Sequence, residues 1–119
     1  MAQAERDLGL ARTAAREAFH EWACFAAQQA AEKALKAAQT SPTRVAGVRE
    51  LLQMLPSGAP EMLIHKARVL DTYYVQTRYA YCYDSGAPFE YYGSRQSDEA
   101  IQFAGEIVQF AVSQMAGTR

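Results

Sequence analysis

The chain has 119 residues, half of them apolar and 21% charged, which suits one globular domain over residues 1–119 and excludes a disordered or fibrous chain. Twelve basic against thirteen acidic residues give a net charge of −1, so there is no global electrostatic case for nucleic acid and only a local basic patch stays open. The two histidines and the separated Cys24 and Cys82 have no zinc-ligand spacing, so no metal or other cofactor is expected, and free thiols fit a reducing cytoplasm.

Residues 2–39 are rich in Ala, Glu, Gln, Lys, Arg and Leu, and propensity alone permits one unbroken helix there. Helices average about a dozen residues, so a break around EAFHE (17–21) is predicted, with two antiparallel helices burying alanine-rich faces against each other. TSPTR (40–44) reads as a turn, because Pro42 cannot sit inside a helix. VRELLQML (48–55) is a short helix stopped by PSGAP (56–60), and Pro60 suits the first turn of the next helix, EMLIHKARVLDTYYVQTRY (61–79). In it, Leu63, Ile64, Ala67, Leu70 and Tyr74 follow the spacing of a buried stripe.

CYDSGAPFEYYGSR (82–95) has two glycines, a proline and no period, so it reads as a long loop. Ser97 is then placed to cap a last helix, with Asp98 and Glu99 in its first turn, a core stripe of Ile101, Ala104, Val108, Ala111 and Met115, and Gly117 as its end. The fold expected is all-α: an antiparallel up-and-down four-helix bundle with one additional short helix. No apolar run approaches the roughly 20 residues of a membrane span, and MAQAERD lacks a signal-peptide core, so no membrane association is expected.

Three constellations could carry chemistry. In WACFAAQQAAEKALKA (22–37), helical spacing aligns Gln28, Glu32 and Lys36, with Gln29 and Lys33 on the neighbouring line. A solvated face with a Glu32–Lys36 pair is the plain reading, but paired glutamine amides also suit a partner chain or a base edge. Asp71, Tyr74 and Arg78 share a face near the end of the fourth helix, where an arginine fork could hold phosphate and a ring could stack on a base. An Asp71–Arg78 ion pair fixing the helix end is the structural alternative. All seven tyrosines fall between Tyr73 and Tyr92, a concentration that suits a protein interface or base stacking. No nucleophile elbow, Cys–His pair or Gly-rich phosphate loop is present.

Taken together, ACFAAQQAAEKALKA, LDTYYVQTRYAY and APFEYY resemble the HEPN family (higher eukaryotes and prokaryotes nucleotide-binding domain), with the likeness running from about Glu5 to Met115. The resemblance implies a helical bundle that usually dimerises. Members are often encoded beside a minimal nucleotidyltransferase and act with it as toxin and antitoxin, and others are implicated in nucleotide binding. Many toxic members are metal-independent ribonucleases with an Arg followed after four to six residues by His. Arg78 matches the arginine of that motif, but Tyr83, Asp84 and Ser85 stand where the histidine would be, and Arg16 reaches His20 after only three. Small members usually read TRYPD where this chain has TRYAY, and a Thr-His pair often stands where it has Val48 and Arg49.

The expectation from residues and resemblance together is a non-catalytic homodimeric module. It would bind a nucleotide, an RNA-like ligand or a nucleotidyltransferase partner, with Arg78 on phosphate, Tyr74, Tyr79 or Tyr83 stacking, Asp71 beside them, and Gln29 and Lys33 lining the groove. The alternatives are a ribonuclease using Arg78 with Tyr83 in place of His, and a purely structural dimerisation module.

Overall fold

Five helices appear in a computed structural model that describes residues 1–45, 47–76 and 92–117: α1 (Ala2–Arg16), α2 (His20–Ala38), α3 (Val48–Gln53), α4 (Glu61–Gln76) and α5 (Ser94–Gly117). Four are long and one is short, as expected, and no strand occurs among the described residues. The central helix is α2, which packs mainly on α1 and α5 and also touches α3 and α4. Ala23, Ala27, Ala30, Ala31 and Ala34 of α2 are fully buried, as are Ala4 and Ala11 of α1 and Ala100, Ala104 and Ala111 of α5. Side chains this small let three backbones approach closely. Leu35, Leu51, Leu52, Leu70 and Ile107 fill what remains, each contributing roughly 1.5–3 kcal/mol by leaving water.

The break between α1 and α2 falls where predicted and is closed by backbone bonds. Ala18 N–H donates to Ala15 O at 3.1 Å and Phe19 N–H to Ala14 O at 2.8 Å, the paired bonds of a Schellman motif. That motif needs a left-handed residue after the cap, and here it is Ala18 at φ 64° instead of glycine. The Cβ there costs about 1–2 kcal/mol, which glycine would relieve at a smaller entropic cost in the unfolded chain. Ala18→Gly is therefore expected to stabilise the protein by about 1 kcal/mol, raising Tm by about 4 °C in a thermal melt; an unchanged or lower Tm would remove this account of the turn.

Several expected positions differ. Pro60 stands just before α4, accepting from Leu63 and Ile64 N–H, instead of inside its first turn. The helix α3 stops at Gln53, two residues before the expected end. Ser97 is not a cap: α5 starts at Ser94, so Ser94 and Arg95 are helical and not loop. Gly93 precedes the helix, its N–H donating to the Gln96 side chain at 3.0 Å while its carbonyl accepts from Ser97 N–H at 3.2 Å. Met115 is exposed, not core. With 24 residues against 19 in α2, α5 cannot be covered along its whole length by the helix it packs on most. In α4 the stripe continues through Tyr73, 7% exposed, and not through Tyr74, 40% exposed. The Tyr73 ring meets Tyr92 edge-on at 5.8 Å, which joins α4 to the chain entering α5 and gives two of the seven tyrosines a core role.

Candidate functional site

Where α2, α3 and α4 meet, a short sequence of backbone constraints builds a cleft. Gly47, at φ 106° and ψ 130°, has a conformation that side chains disfavour, and it turns the chain so that the first amides of α3 face α4. The Asp71 carboxylate receives both: Val48 N–H at 2.7 Å on Oδ1 and Arg49 N–H at 3.1 Å on Oδ2. Asp71 thus caps α3 across a 23-residue separation and neutralises the positive end of that helix. Val48 and Arg49 meet Asp71 through their backbone N–H groups.

The opposite wall is a polar cluster on α2. Gln28 is 1% exposed and Glu32 is 8% exposed, so of the aligned Gln28, Glu32 and Lys36 only Lys36 lies on a solvated face, where it forms the expected pair with Glu32. An α2 packed by neighbours on several sides has little free face to offer. Glu32 Oε2 accepts from Gln28 Nε2 at 3.3 Å and from Gln29 Nε2 at 3.4 Å, while Oε1 lies 3.2 Å from Lys36 Nζ. Gln29 Nε2 also donates to Gln28 Oε1 at 2.7 Å. A carboxylate can only accept, so Glu32 fixes which way both amides point. The amides of Gln28 and Gln29 are thus tied to each other and to Glu32, and the carboxylates of Glu32 and Asp71 bring further lone pairs to this part of the molecule.

These groups line a cleft of about 310 Å³ made by Gln28, Gln29, Glu32, Gly47, Asp71 and Tyr74. Three of the residues expected to form a site, Gln29, Asp71 and Tyr74, are therefore brought together. Lys33 is not: it lies in a neighbouring cleft of about 430 Å³ with Leu10, Trp22 and Phe25, paired to Asp7 at 2.6 Å. One helical position after Glu32 is rotated by about 100°, and that suffices to turn Lys33 toward α1. Gln29 stands on the ridge and lines both clefts. The Tyr74 ring is 6.0 Å from Phe25, which in turn meets Trp22 edge-on at 6.4 Å. Arg78, Tyr79 and Tyr83 lie outside the described residues.

Gln28 entered the sequence reading only as one of two paired amides, and Glu32 and Gly47 are cleft residues that it did not assign to binding. The available signal was composition: in a helix whose other interior positions are nearly all alanine, a buried polar pair has to be satisfied locally, and i, i+4 spacing permits it. Among the described residues no group of three or more His, Cys, Asp or Glu could hold a metal, and no helix is long and apolar enough to cross a membrane.

Two acids near this end of the bundle are held protonated. Burial, helped by the charges of Glu21 and Glu99, pushes the Cys24 thiol from 9.0 up to about 12. Burial, then Cys24 and Glu99, pushes the Tyr73 phenol from 10.0 up to about 12. Above pH 9 the unfolded chain gives up protons that the folded chain keeps, so the folded state binds more protons and stability falls as pH rises. Urea unfolding is expected to show a loss on the order of 1 kcal/mol per pH unit from about pH 9 toward 12, first from Cys24 and then from Tyr73, with native Cys24 inert to thiol reagents at pH 8. A flat profile to pH 11 would contradict the burial of these groups.

A family model for the HEPN domain matches residues 1–115. The fold is similar to a crystal structure of TT1696 from Thermus thermophilus, with 35% identity over 95% of this chain and 93% of that one and a TM-score of 0.91. It is also similar to ST0689, an archaeal HEPN homologue, with 38% identity over 96% of this chain and 93% of that one and a TM-score of 0.81. An HEPN domain protein of Thermotoga maritima shares 31% identity over 95% of this chain and 93% of that one, with a TM-score of 0.74. No curated protein matches the chain.

Proposed function

The chain belongs to the HEPN domain family, and from that premise we propose that it is a non-catalytic binding module that holds the base end of a nucleotide or RNA-like ligand between α2 and α4. The supporting observation is the pair of carboxylates, Glu32 and Asp71, lining one cleft with Gln29 and with the half-exposed Tyr74 on its wall. Acceptors select donors, so the matching edge is that of a base with an exocyclic amino group: adenine, cytosine or guanine. A phenol ring suits the face of that base, where stacking contributes roughly 1–3 kcal/mol. The carboxylates of Glu32 and Asp71 repel phosphate, so the phosphate points out of the cleft.

Homodimerisation and a cytoplasmic setting accompany this function. The exposed Leu10, Phe19 and Trp22 of the α1–α2 side are large apolar groups with Lys33 and Asp7 neutralising each other beside them, a composition that suits a second copy of the chain. A minimal nucleotidyltransferase is the alternative partner. The test is a thermal melt of the protein with ATP, GTP, CTP or UTP in excess. The three amino-bearing nucleotides are expected to raise Tm and UTP to do so least, since ligand at about 100 times Kd adds about 2.7 kcal/mol. If no nucleotide shifts the melt, or UTP does so as strongly as the others, the proposed cleft chemistry is wrong.

A further inference from the structure

We propose that a third cleft, between the C-terminal half of α1, the first residue of α2 and the first turns of α5, is a binding site for a phosphate monoester. It has a volume of about 380 Å³, is lined by Arg12, Arg16, His20, Ser94, Asp98 and Gln102 among others, and shares no lining residue with the α2–α4 cleft.

Arg12 and Arg16 carry the inference. They stand one turn apart on α1, where like charges disfavour the helix by a few tenths of a kcal/mol. Among the described residues neither has a carboxylate within ion-pair distance: the ion pairs there are Lys33–Asp7, Lys36–Glu32 and Lys66–Glu106. The side-chain bond of Arg16 runs from Nη2 to Thr13 Oγ1 at 3.2 Å, which spends one donor of its fork. The end of the α1 dipole accounts for a cation at Arg16, in the last turn, but not for one at Arg12. Two guanidinium groups with donors to spare, opening on a common cleft, match the oxygens of a tetrahedral anion.

The other lining groups refine the ligand. Ser97 Oγ lies 3.2 Å from Ser94 O and 2.9 Å from His20 Nδ1. A hydroxyl has one proton, and with it on the Ser94 carbonyl, His20 donates from Nδ1, which in the neutral ring leaves Nε2 as an acceptor in the cleft it lines. Ser94 and Gln102 add a hydroxyl and an amide. Asp98 is a carboxylate, a second acceptor among the donors of Arg12, Arg16, Ser94 and Gln102. It offers an acceptor that a protonated phosphate can satisfy with its own O–H, whereas sulfate carries no proton near neutral pH and meets only repulsion. With a second pKa of about 6, a phosphate monoester retains enough of its singly protonated form for that contact. The cleft therefore distinguishes phosphate from sulfate, not merely anion from cation.

The experiment is calorimetric titration of the full chain with inorganic phosphate and, separately, sulfate, at about pH 6.5 and constant ionic strength. Saturable phosphate binding is expected, at least about tenfold tighter than sulfate. The Arg12→Gln, Arg16→Gln double variant should weaken phosphate by about tenfold or more, and Asp98→Asn should narrow the preference for phosphate over sulfate by several-fold, an unchanged preference in that variant overturning the role of Asp98. Both arginines are exposed, so their variants keep the fold. An Arg44→Gln, Arg68→Gln double variant removes the same charge from elsewhere on the exposed surface and should bind phosphate as the parent does. Absence of saturable binding, equal affinity for the two anions in the parent, or equal loss in both double variants would overturn the proposal. Adenosine monophosphate as a third titrant should compete with inorganic phosphate, and failure to compete would restrict the ligand to the free ion and overturn the monoester assignment.

Discussion

Asp71→Ala is expected to destabilise the protein by about 2 kcal/mol and to release α3 from the bundle. Both oxygens of Asp71 accept α3 amides, at 2.7 and 3.1 Å, and loss of a side-chain cap costs about 0.5–2 kcal/mol, with charge-assisted bonds at the upper end. Alanine leaves the Val48 amide beside a buried side chain with no acceptor in reach, and six residues are too few to hold a helix without tertiary support. Because Val48, Leu51 and Leu52 are fully buried, the loosening of α3 also exposes core. A loss of about 2 kcal/mol corresponds to a Tm lower by about 8 °C. Asp71→Asn keeps one carbonyl oxygen, so it should fall between parent and Asp71→Ala. Amide exchange at Val48 and Arg49 should quicken in the same order. Parent-like Tm and exchange in both variants would mean that the cap contributes nothing and that Asp71 is a ligand residue only.

That function of Asp71 was not legible in the sequence, for a definite reason. Its partners are backbone N–H groups 22 and 23 residues away, and backbone amides leave no mark in composition. An ion pair with Arg78 was the local alternative because helical spacing finds only neighbours on the same helix. The all-helical architecture was far more legible. Pro42, Pro60 and Gly93 punctuate the chain, and α1 and α2 part where the average length of helices, and not propensity, required a break. The α4 stripe was right as far as Leu70 and then took the wrong tyrosine, since Tyr73 and Tyr74 both continue a three-or-four spacing. Only the position of Tyr92 across the bundle decides between them. Gln28 and Glu32 were misjudged for the converse reason. A helical wheel gives relative orientation, but how many neighbours surround α2 is a property of the whole bundle.

Glu32 is where stability and binding separate. Glu32→Ala removes the acceptor of Gln28 Nε2, which is buried, and should cost about 1–3 kcal/mol, whatever the protein binds. Glu32→Gln has almost the same shape and keeps one acceptor, so its stability should fall by only about 1 kcal/mol. Its effect on binding should be much larger. A third amide brings two new donors into a network whose donors were already matched, and one of the three glutamines has to turn, presenting N–H where the cleft offered oxygen. An amino-bearing nucleotide then meets a donor, and its affinity should drop by tenfold or more, about 1.4 kcal/mol or above. Uracil, which presents carbonyl oxygens on either side of a single N–H, should bind no worse than before. The measurement is the ratio of ATP to UTP affinity in parent and Glu32→Gln at matched temperature below both melts. A ratio that falls toward one supports the acceptor array as the selecting element. An unchanged ratio with a lowered Tm would leave Glu32 as a structural anchor of α2 and would move the base-reading residues elsewhere.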